Sequence, residues 1–264
     1  MSELLIEFTK DTIDNYLKEV AKEYRRQGGK NIPAEMTIIG GASVLINYGF
    51  RNMTTDIDAI IYAASTMKSA INNIGDRHKL PRGWLNGDFV KTESYTDNLI
   101  KYSVFYKSYY GVLTVRTIAA EYLIAMKLRA GRQYKNDLSD ILGILIEHEK
   151  RGKPIEMVDI RRAVTDLYGD WDALPVTSKL FISNIMADGN YKELYEQIKV
   201  DEINNKDLLV RINHSYPGMV KETSINALID SQQEKRGKAS IIAYLLNHRE
   251  NKEKNSMSKN ELDL

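Results

Sequence analysis

Two aspartates separated by one residue, Asp56 and Asp58, stand at the start of an apolar run that is typical of a β-strand. Because alternate side chains of a strand point to the same face, both carboxylates should share a face, about 6.6 Å apart along a chain that rises ~3.3 Å per residue. Neighbouring like charges favour a cation between them, and an all-oxygen site suits Mg²⁺ or Mn²⁺. Alternatively, Asp56 caps a turn and Asp58 is a solvated residue at a strand edge.

A pair of glycines, Gly40 and Gly41, lies between a predicted strand at residues 36–39 and a predicted helix at residues 42–48. Glycine lets the backbone approach a ligand closely, and the unpaired amides at a helix N-terminus attract phosphate. The hydroxyl of Ser43 lies within the first turn and is placed to join them. A tight turn that needs a positive φ is the alternative, and it explains one glycine more readily than two. Together with the two aspartates, the pattern favours a metal-bound nucleotide.

A single lysine, Lys127, lies near the centre of the apolar face of a predicted helix at residues 117–130. Either its stem packs in the core while the ammonium reaches solvent, or the ammonium meets an anion. The anion is favoured because acids and phosphates are expected nearby. In the next predicted helix, Asp137 stands in the first turn, where it complements the helix dipole. Asp140 lies roughly opposite the apolar face of that helix, so solvent is its expected environment.

Strand patterns occur only in the first half of the chain, and after about residue 119 the pattern is helical. This distribution predicts an α/β fold with a small mixed sheet followed by a helical C-terminal part. We expect domains at residues 1–150 and 151–247 and a flexible polar tail at 248–264. Residues 80–98 lack a period and are expected to form a loop, with or without a short helix. The predicted strands are at 36–39, 57–62, 100–106 and 112–116, the last two as a hairpin, and the predicted helices are at 4–27, 42–48, 65–77, 117–130, 137–149, 156–168, 176–187, 190–199, 205–213 and 218–247.

The composition excludes several classes of protein. The 264 residues include no cysteine, which rules out disulfide frameworks, thiolate zinc sites and cysteine nucleophiles and fits a reducing cytoplasm. The N-terminal segment carries acids where a signal peptide has basic residues, and no run reaches the roughly 18 apolar residues of a membrane helix, so we expect a soluble cytoplasmic protein. A net charge of +1 argues against general nucleic-acid binding, although it permits a local basic groove.

The segment from residue 37 to residue 61 resembles the nucleotidyltransferase superfamily typified by DNA polymerase β. In that superfamily a hydrophobic strand runs into Gly-Gly or Gly-Ser, and an Asp-x-Asp follows on the neighbouring strand. The residues IGG at 39–41 and DID at 56–58 match this pattern. With Arg51 and Thr54 included, the segment is most similar to the branch that contains the AbiEii-type abortive-infection toxins. Residues 118–142 are similar to a later motif of that branch, a helix with a Lys-Leu-x-Ala core followed by basic residues and a Lys-Asp-x-x-Asp-like helix start.

This resemblance implies a nucleotidyltransferase fold and the transfer of a nucleoside monophosphate from an NTP to an acceptor hydroxyl. It implies that Arg51 and Thr55 help to bind the NTP and that Lys127 holds either the triphosphate or a carboxylate of the metal site. The acceptor would be RNA such as tRNA, a protein or a small molecule, and a toxin role would imply an antitoxin partner. The implied site comprises the catalytic residues Asp56, Asp58, Lys127 and Asp140, the phosphate cradle Gly40, Gly41 and Ser43, and a basic rim of Arg129, Arg132 and Lys135.

The chain departs from the superfamily pattern in one respect. A third carboxylate usually stands on a later strand, yet the predicted strands at 100–106 and 112–116 contain no acid. Either another residue such as Asp140 supplies it, or a second metal ion binds weakly, or catalysis has been lost. The last alternative predicts a nucleotide sensor or protein-interaction module that keeps the fold.

Overall fold

The computed structural model describes residues 7–216 and residues 225, 226, 228, 229 and 231. This part of the chain forms two compact units. The first runs to Met126 and includes Thr165–Tyr168, and the second comprises Lys127–Val164 and the residues from Gly169 onward. The division therefore falls ahead of the expected domain boundary at residue 150. The expected tail at 248–264 and most of the helix predicted at 218–247 lie outside the described residues.

The first unit contains a five-stranded mixed sheet in the order β3-β2-β1-β5-β4. Strand β1 is central, antiparallel to β2 and parallel to β5, while β3 runs parallel to β2 and β4 antiparallel to β5. This arrangement confirms the predicted α/β fold with a small mixed sheet. The strands are β1 (Ala34–Ile38), β2 (Ile57–Tyr62), β3 (Leu85–Asn86), β4 (Ser103–Tyr109) and β5 (Leu113–Ile118). The α-helices that lie wholly in this unit are α1 (Lys10–Arg26), α2 (Gly40–Asn47) and α3 (Thr66–His78).

Helix α1 begins at a capping box. The hydroxyl of Thr9 accepts from the amide of Thr12, and the hydroxyl of Thr12 accepts from the amide of Thr9, so two of the otherwise unpaired amides are satisfied. The helix ends where Gly28 adopts a φ of 103°. One face of α1 packs into the core and against α3; its buried apolar residues are Ile13, Leu17, Val20, Ala21 and Tyr24.

The hairpin predicted in the first unit is present with shifted limits. A 3-10 helix at Asp97–Tyr102 precedes β4, because the hydroxyl of Thr96 caps it by accepting from the amide of Asn98. The first strand therefore begins at Ser103 rather than at residue 100. The predicted loop at 80–98 contains the short strand β3, which pairs with the beginning of β2.

The second unit is helical in its described part. Its helices are α5 (Asp137–Lys150), α7 (Val176–Asp188), α8 (Tyr191–Ser215), the end of α4 (Ala120–Ala130) and most of α6 (Met157–Tyr168). Helix α5 packs against α8. Helix α8 replaces the two helices predicted at 190–199 and 205–213, because residues 200–204 contain neither glycine nor proline to end the first one. Among the described helices, none is long and apolar enough to cross a bilayer.

Candidate active site

The sharp connection between β1 and α2 is built on Gly40. The amide of Ile39 donates to the carbonyl of Asp58 on β2 at 3.0 Å, so the chain is still paired with the sheet one residue before the helix. Gly40 then adopts a φ of +60°, which a residue with a Cβ rarely accepts, and α2 starts at once. The first amides of α2 have no partner within the helix, and unpaired amides at a helix N-terminus attract phosphate.

Two side chains lie directly against these glycines. A Cβ added to Gly40 would stand 3.6 Å from Oδ2 of Asp58, so the carboxylate of Asp58 is turned toward the start of α2. A Cβ added to Gly41 would stand 2.7 Å from Nη2 of Arg51 and 3.2 Å from the hydroxyl of Thr54. Gly40 therefore supplies the turn, whereas Gly41 leaves room for a guanidinium. The structure thus brings together four residues of the site that the resemblance implies: Gly40, Gly41, Arg51 and Asp58.

The exposure of residues 56–58 alternates where the chain enters β2. Ile57 is fully buried, while Asp56 is exposed and Asp58 is half-buried. Thr55, the other residue implied to bind the NTP, is exposed next to Asp56. Asp58 therefore lies on the opposite face of β2 from Ile57, and Asp56 is exposed one residue before the strand.

The sheet register shows which neighbours share the face of Asp58. Thr37 of β1 pairs with Ile60 of β2 and with Arg116 of β5, and Asp58 is two residues from Ile60. Paired residues of adjacent strands point to the same face, so Asp58, Thr37 and Arg116 share a face. The guanidinium of Arg116 donates to the hydroxyl and the carbonyl of Ser103 at 2.7 and 2.8 Å. A cation thus occupies the strand on which the superfamily usually places its third acid.

Glu35 is the nearest acid along the same face of β1, and its position excludes it as that third carboxylate. Asp58 stands opposite Ile39, four residues beyond Glu35. At ~3.3 Å per residue this separates the two acids by ~13 Å along the sheet. Glu35 instead lies 4.0 Å from Arg116.

Ser43 was expected to join the phosphate cradle, but the structure places it inside the fold. Its side chain is fully buried, and its hydroxyl accepts from the amide of Ile118 at the end of β5, 3.3 Å away. The hydroxyl therefore connects α2 to the sheet, which leaves the half-buried pair Gly40 and Gly41, here called the glycine elbow, as the remaining part of the expected cradle.

Lys127 and Asp140, also implied catalytic residues, belong to the second unit. The ammonium of Lys127 lies 2.7 Å from Oδ2 of Asp140 and 3.2 Å from Oδ1 of Asp137, and all three side chains are almost fully buried. The expectation that Lys127 meets an anion is confirmed. The expectation that Asp140 faces solvent is wrong, because ten consecutive residues of α5, from Asp137 to Ile146, are buried and the helix has no solvated face there.

Arg132 completes the charge balance of this cluster, which we call the Lys127 cluster (Lys127, Arg132, Asp137 and Asp140). Its guanidinium donates to both carboxylate oxygens of Asp137, at 2.7 and 3.3 Å. Burial raises the pKa of Asp137, but the charges of Lys127 and Arg132 outweigh it and hold that pKa at about 2. Two cations and two anions thus neutralise one another. Of the other expected rim residues, Arg129 donates to the carbonyl of Ala173 and Lys135 is exposed.

Sequence reasoning missed Glu202, a buried acid of α8 next to this cluster. One of its carboxylate oxygens accepts from the amides of Leu138 and Ser139 at 3.0 and 3.2 Å, and the other accepts from the hydroxyl of Ser139 at 2.5 Å. It therefore caps the N-terminus of α5 from another helix. Burial raises its pKa, hydrogen bonds from Ser139 lower it, and the charges of Asp140 and Asp137 raise it further, to about 8.

Comparison with known proteins adds one family. A family model described as a nucleotidyltransferase of unknown function (DUF6036) matches residues 15–149, which is half of the chain. The chain belongs to this family. The matched segment contains the glycine elbow, both aspartates and the Lys127 cluster, and its description supports nucleotidyl transfer as the general activity. It supports the superfamily and carries no information on the toxin branch. No curated protein and no solved structure matches the chain.

The glycine elbow and the two aspartates fit a magnesium-bound nucleotide. Mg²⁺ in such sites is held by one or two carboxylates together with substrate phosphates rather than by a full protein cage. Asp58 provides a half-buried carboxylate on β2 and Asp56 an exposed one just before the strand, and the missing Cβ of Gly40 leaves space beside Oδ2 of Asp58. Within the part of the chain that the structure describes, no three His, Cys, Asp or Glu side chains come together as metal ligands. The fit therefore depends on phosphate oxygens as additional ligands.

Proposed function

We propose that this protein is a metal-dependent nucleotidyltransferase that transfers a nucleoside monophosphate from an NTP to an acceptor hydroxyl. In this reaction the acceptor O–H loses its proton, its oxygen bonds to the α-phosphorus, and pyrophosphate leaves. One observation carries the proposal. The carboxylate of Asp58 faces a left-handed glycine at the first residue of a helix, with 3.6 Å between Oδ2 and the Cβ position that Gly40 lacks.

The glycine elbow and the polar residues near it have separate roles in nucleotide binding. The amides of Gly40 and Gly41 bind the β and γ phosphates, because they point out of a helix N-terminus where negative charge is stabilised. Arg51, whose guanidinium lies over Gly41, adds a positive charge to the same phosphates. Asp56 and Asp58 hold Mg²⁺ or Mn²⁺, and exposed Thr55 hydrogen-bonds to the NTP. The ion supplies charge neutralisation and alignment of the reacting oxygens when it is bound.

The proposal gives the Lys127 cluster a structural role. Lys127 and Asp140 are buried and already neutralise each other, so neither offers a free charge to a triphosphate. Removing Lys127 from this arrangement would leave two buried carboxylates short of a cation, which is costly. We therefore assign nucleotide binding to the residues of the first unit.

A second candidate function is nucleotide binding without transfer, as a sensor or interaction module. It is favoured by Arg116. This residue is on the same sheet face as Asp58, in a later strand, and the superfamily usually has an acid on such a strand. The two candidates differ in one measurement. Incubation with α-labelled NTPs, Mn²⁺ and total cellular RNA or protein should label an acceptor if the first is right, and nucleotide binding without any labelled acceptor would support the second.

The site itself is tested by exchanging its acids. Asp56→Asn with Asp58→Asn should abolish Mn²⁺-dependent binding of a non-hydrolysable ATP analogue, measured by calorimetry, because the neutral amides no longer attract the ion. The folded structure should be kept, since Asp56 is exposed and asparagine has the same shape as the half-buried Asp58. Asp76→Asn, an exposed acid-to-amide exchange on α3, is the control and should bind normally. Unchanged nucleotide affinity in the double variant would contradict the site.

The elbow is tested separately from the acids. Gly40→Ala places a Cβ at a positive φ, which costs about 1–2 kcal/mol and intrudes on the space beside Asp58. Nucleotide affinity should fall more than tenfold. Gly49→Ala just after α2 is the matched control, because its φ is not positive and nothing lies within 4 Å of the added Cβ. Equal affinity in the two variants would show that the elbow does not contact the nucleotide.

The acceptor and the cellular role belong to the same proposal. The resemblance to abortive-infection toxins adds tRNA or a protein as acceptor and an antitoxin as partner. Inducible expression of the protein should then arrest growth, and the double aspartate variant should not. Growth arrest by both proteins alike would separate toxicity from nucleotidyl transfer.

A further inference from the structure

A long groove follows the exposed side of α1 within the first unit. It has a volume of about 1210 Å³ and is lined by α1, the end of α3 and Tyr110 of the β4–β5 hairpin. A second depression of about 620 Å³ adjoins it and shares Asn15, Lys18 and Tyr110 with it. We call the two together the α1 groove. Their combined size exceeds the roughly 300–1,000 Å³ of ordinary small-molecule pockets.

The larger part of the α1 groove is basic although the whole chain is nearly neutral, whereas the smaller part holds two acids, Asp11 and Asp14, and two lysines, Lys18 and Lys107. The larger part is lined by six Lys and Arg side chains and two acids. These two acids of the larger part are already engaged within the protein. Glu23 lies 2.6 Å from Arg26, which helps to lower its pKa to about 2, and Glu19 lies 3.3 Å from Arg77 and 3.0 Å from His78. The acids therefore do not neutralise the remaining cations.

Four exposed cations of the groove make no ion pair with any residue that the structure describes: Lys18, Lys22, Arg25 and Lys30. Three of them form a row, because Lys18, Lys22 and Arg25 fall within an arc of about 60° on a helix that turns 100° per residue. At ~1.5 Å per residue this row is about 10 Å long. Such a row matches a chain of phosphates better than a single anion.

An exposed aromatic ring stands at the point where the two parts of the groove meet. Tyr110 is 44% exposed, and with Gly111 it forms the centre of the hairpin turn, where both residues have a positive φ, 52° and 67°. Asn or Gly is the usual residue at the first of these positions, so tyrosine is held there against its backbone preference. Strained backbone positions of this kind cluster at functional sites, which points to a use for the exposed ring.

Asp14 fixes the hairpin against α1. Its carboxylate accepts from the hydroxyls of Tyr106 and Tyr109 and pairs with Lys107, each at 2.8 Å. The ring of Tyr110 is therefore presented from a firmly anchored turn beside the row of cations.

We propose that the α1 groove binds a single-stranded polynucleotide, with its phosphates on Lys18, Lys22 and Arg25 and a base stacked on Tyr110. Basic grooves interleaved with exposed aromatic rings are how proteins hold single strands. An acidic peptide would use the cations but has no need of the ring. The inference goes beyond the proposed nucleotidyl transfer and does not depend on it, because none of these residues belongs to the elbow.

The test measures binding of the full-length protein to fluorescent 12-nucleotide single-stranded RNA and DNA by anisotropy, without NTP or metal. The triple variant Lys18→Glu, Lys22→Glu, Arg25→Glu should bind at least tenfold more weakly. Its salt dependence should also be shallower, by about two in the slope of log K against log salt. The control carries the same charge change elsewhere on the first unit, at Lys68, Lys91 and Lys101, and should bind within twofold of the unaltered protein.

Tyr110 distinguishes a polynucleotide from other polyanions. Tyr110→Ala should weaken single-strand binding about fivefold or more, whereas Tyr110→Phe should leave it unchanged because the ring is kept. Neither variant should change the affinity for heparin, which has no base to stack. Thermal unfolding of each variant verifies that it is folded. Equal losses in the two triple variants, no binding to either oligonucleotide at low salt, or duplex binding as tight as single-strand binding would each overturn the inference. The Asp56→Asn, Asp58→Asn variant should bind oligonucleotides normally, so failure of the proposed function leaves this result interpretable.

Discussion

The ammonium of Lys127 and the carboxylate of Asp140 lie 2.7 Å apart inside the second unit, and their side chains are only 7% and 4% exposed. A buried pair of this kind contributes little net stability compared with apolar residues, because both charges lose their hydration. Removing only one of the two charges lowers stability far more, since the remaining charge stays buried without a partner. The pair is therefore a sensitive probe of how the second unit is held together.

We predict that Lys127→Ala lowers the free energy of unfolding by about 3–5 kcal/mol, because Asp140 and Asp137 both lose their shared cation. Urea denaturation followed by circular dichroism measures the change. Lys150→Ala, which removes an exposed pair with Glu147, is the control and should cost less than about 1 kcal/mol. In a double variant, Lys127→Met with Asp140→Leu should lose less than the sum of the two single changes, by about 0.5–3 kcal/mol. Additive losses would contradict a direct pair.

Glu202 predicts a pH dependence of stability. Because its pKa is about 8 in the folded protein and near 4.5 in the unfolded chain, the folded state binds more protons between these values. Stability therefore falls as pH rises through this interval and levels off above about pH 8. Glu202→Gln keeps an oxygen for the amides of Leu138 and Ser139 and does not titrate. The unaltered protein should lose about 2 kcal/mol relative to this variant between pH 6 and pH 8. Parallel pH profiles of the two proteins would count against a buried neutral Glu202.

Ser43→Ala separates a structural from a ligand-binding hydroxyl. The amide of Ile118 would lose its acceptor in a buried position, so unfolding should become easier by about 1–2 kcal/mol. Nucleotide affinity should stay within twofold, because the hydroxyl lies inside the fold. Ser69→Ala, an exposed serine of α3, should change neither quantity. A selective loss of nucleotide affinity without a loss of stability would return Ser43 to the phosphate cradle.

Local patterns were sufficient to predict strand β2 and the glycine elbow. The strand at Ile57 and the two glycines before α2 depend on neighbouring residues only, so these elements follow from short-range rules. The approach of Asp58 to Gly40 also requires β1 to pair with β2, and it was expected from the resemblance to the nucleotidyltransferase superfamily. The environment of Asp140 could not be predicted in this way. An amphipathic interpretation assumes one buried face, whereas α5 is buried on all sides over ten residues.

Contacts between distant residues also escaped sequence reasoning. Glu202 caps α5 from more than sixty residues away, and no pattern within either helix signals that contact. The position of Arg116 on the same sheet face as Asp58 depends on the parallel register of β1 and β5, which hydrophobic periodicity alone does not specify.

At position 110 of the turn, the residue that would give the highest thermal stability differs from the residue that presents an aromatic ring to the solvent. A residue such as Asn would adopt the same left-handed φ at lower cost, by roughly 1 kcal/mol, and would shorten the side chain at the same time. Any search for thermostable variants of this hairpin will therefore tend to discard the tyrosine first. Retaining position 110 during such engineering keeps the surface comparable with that of the natural sequence.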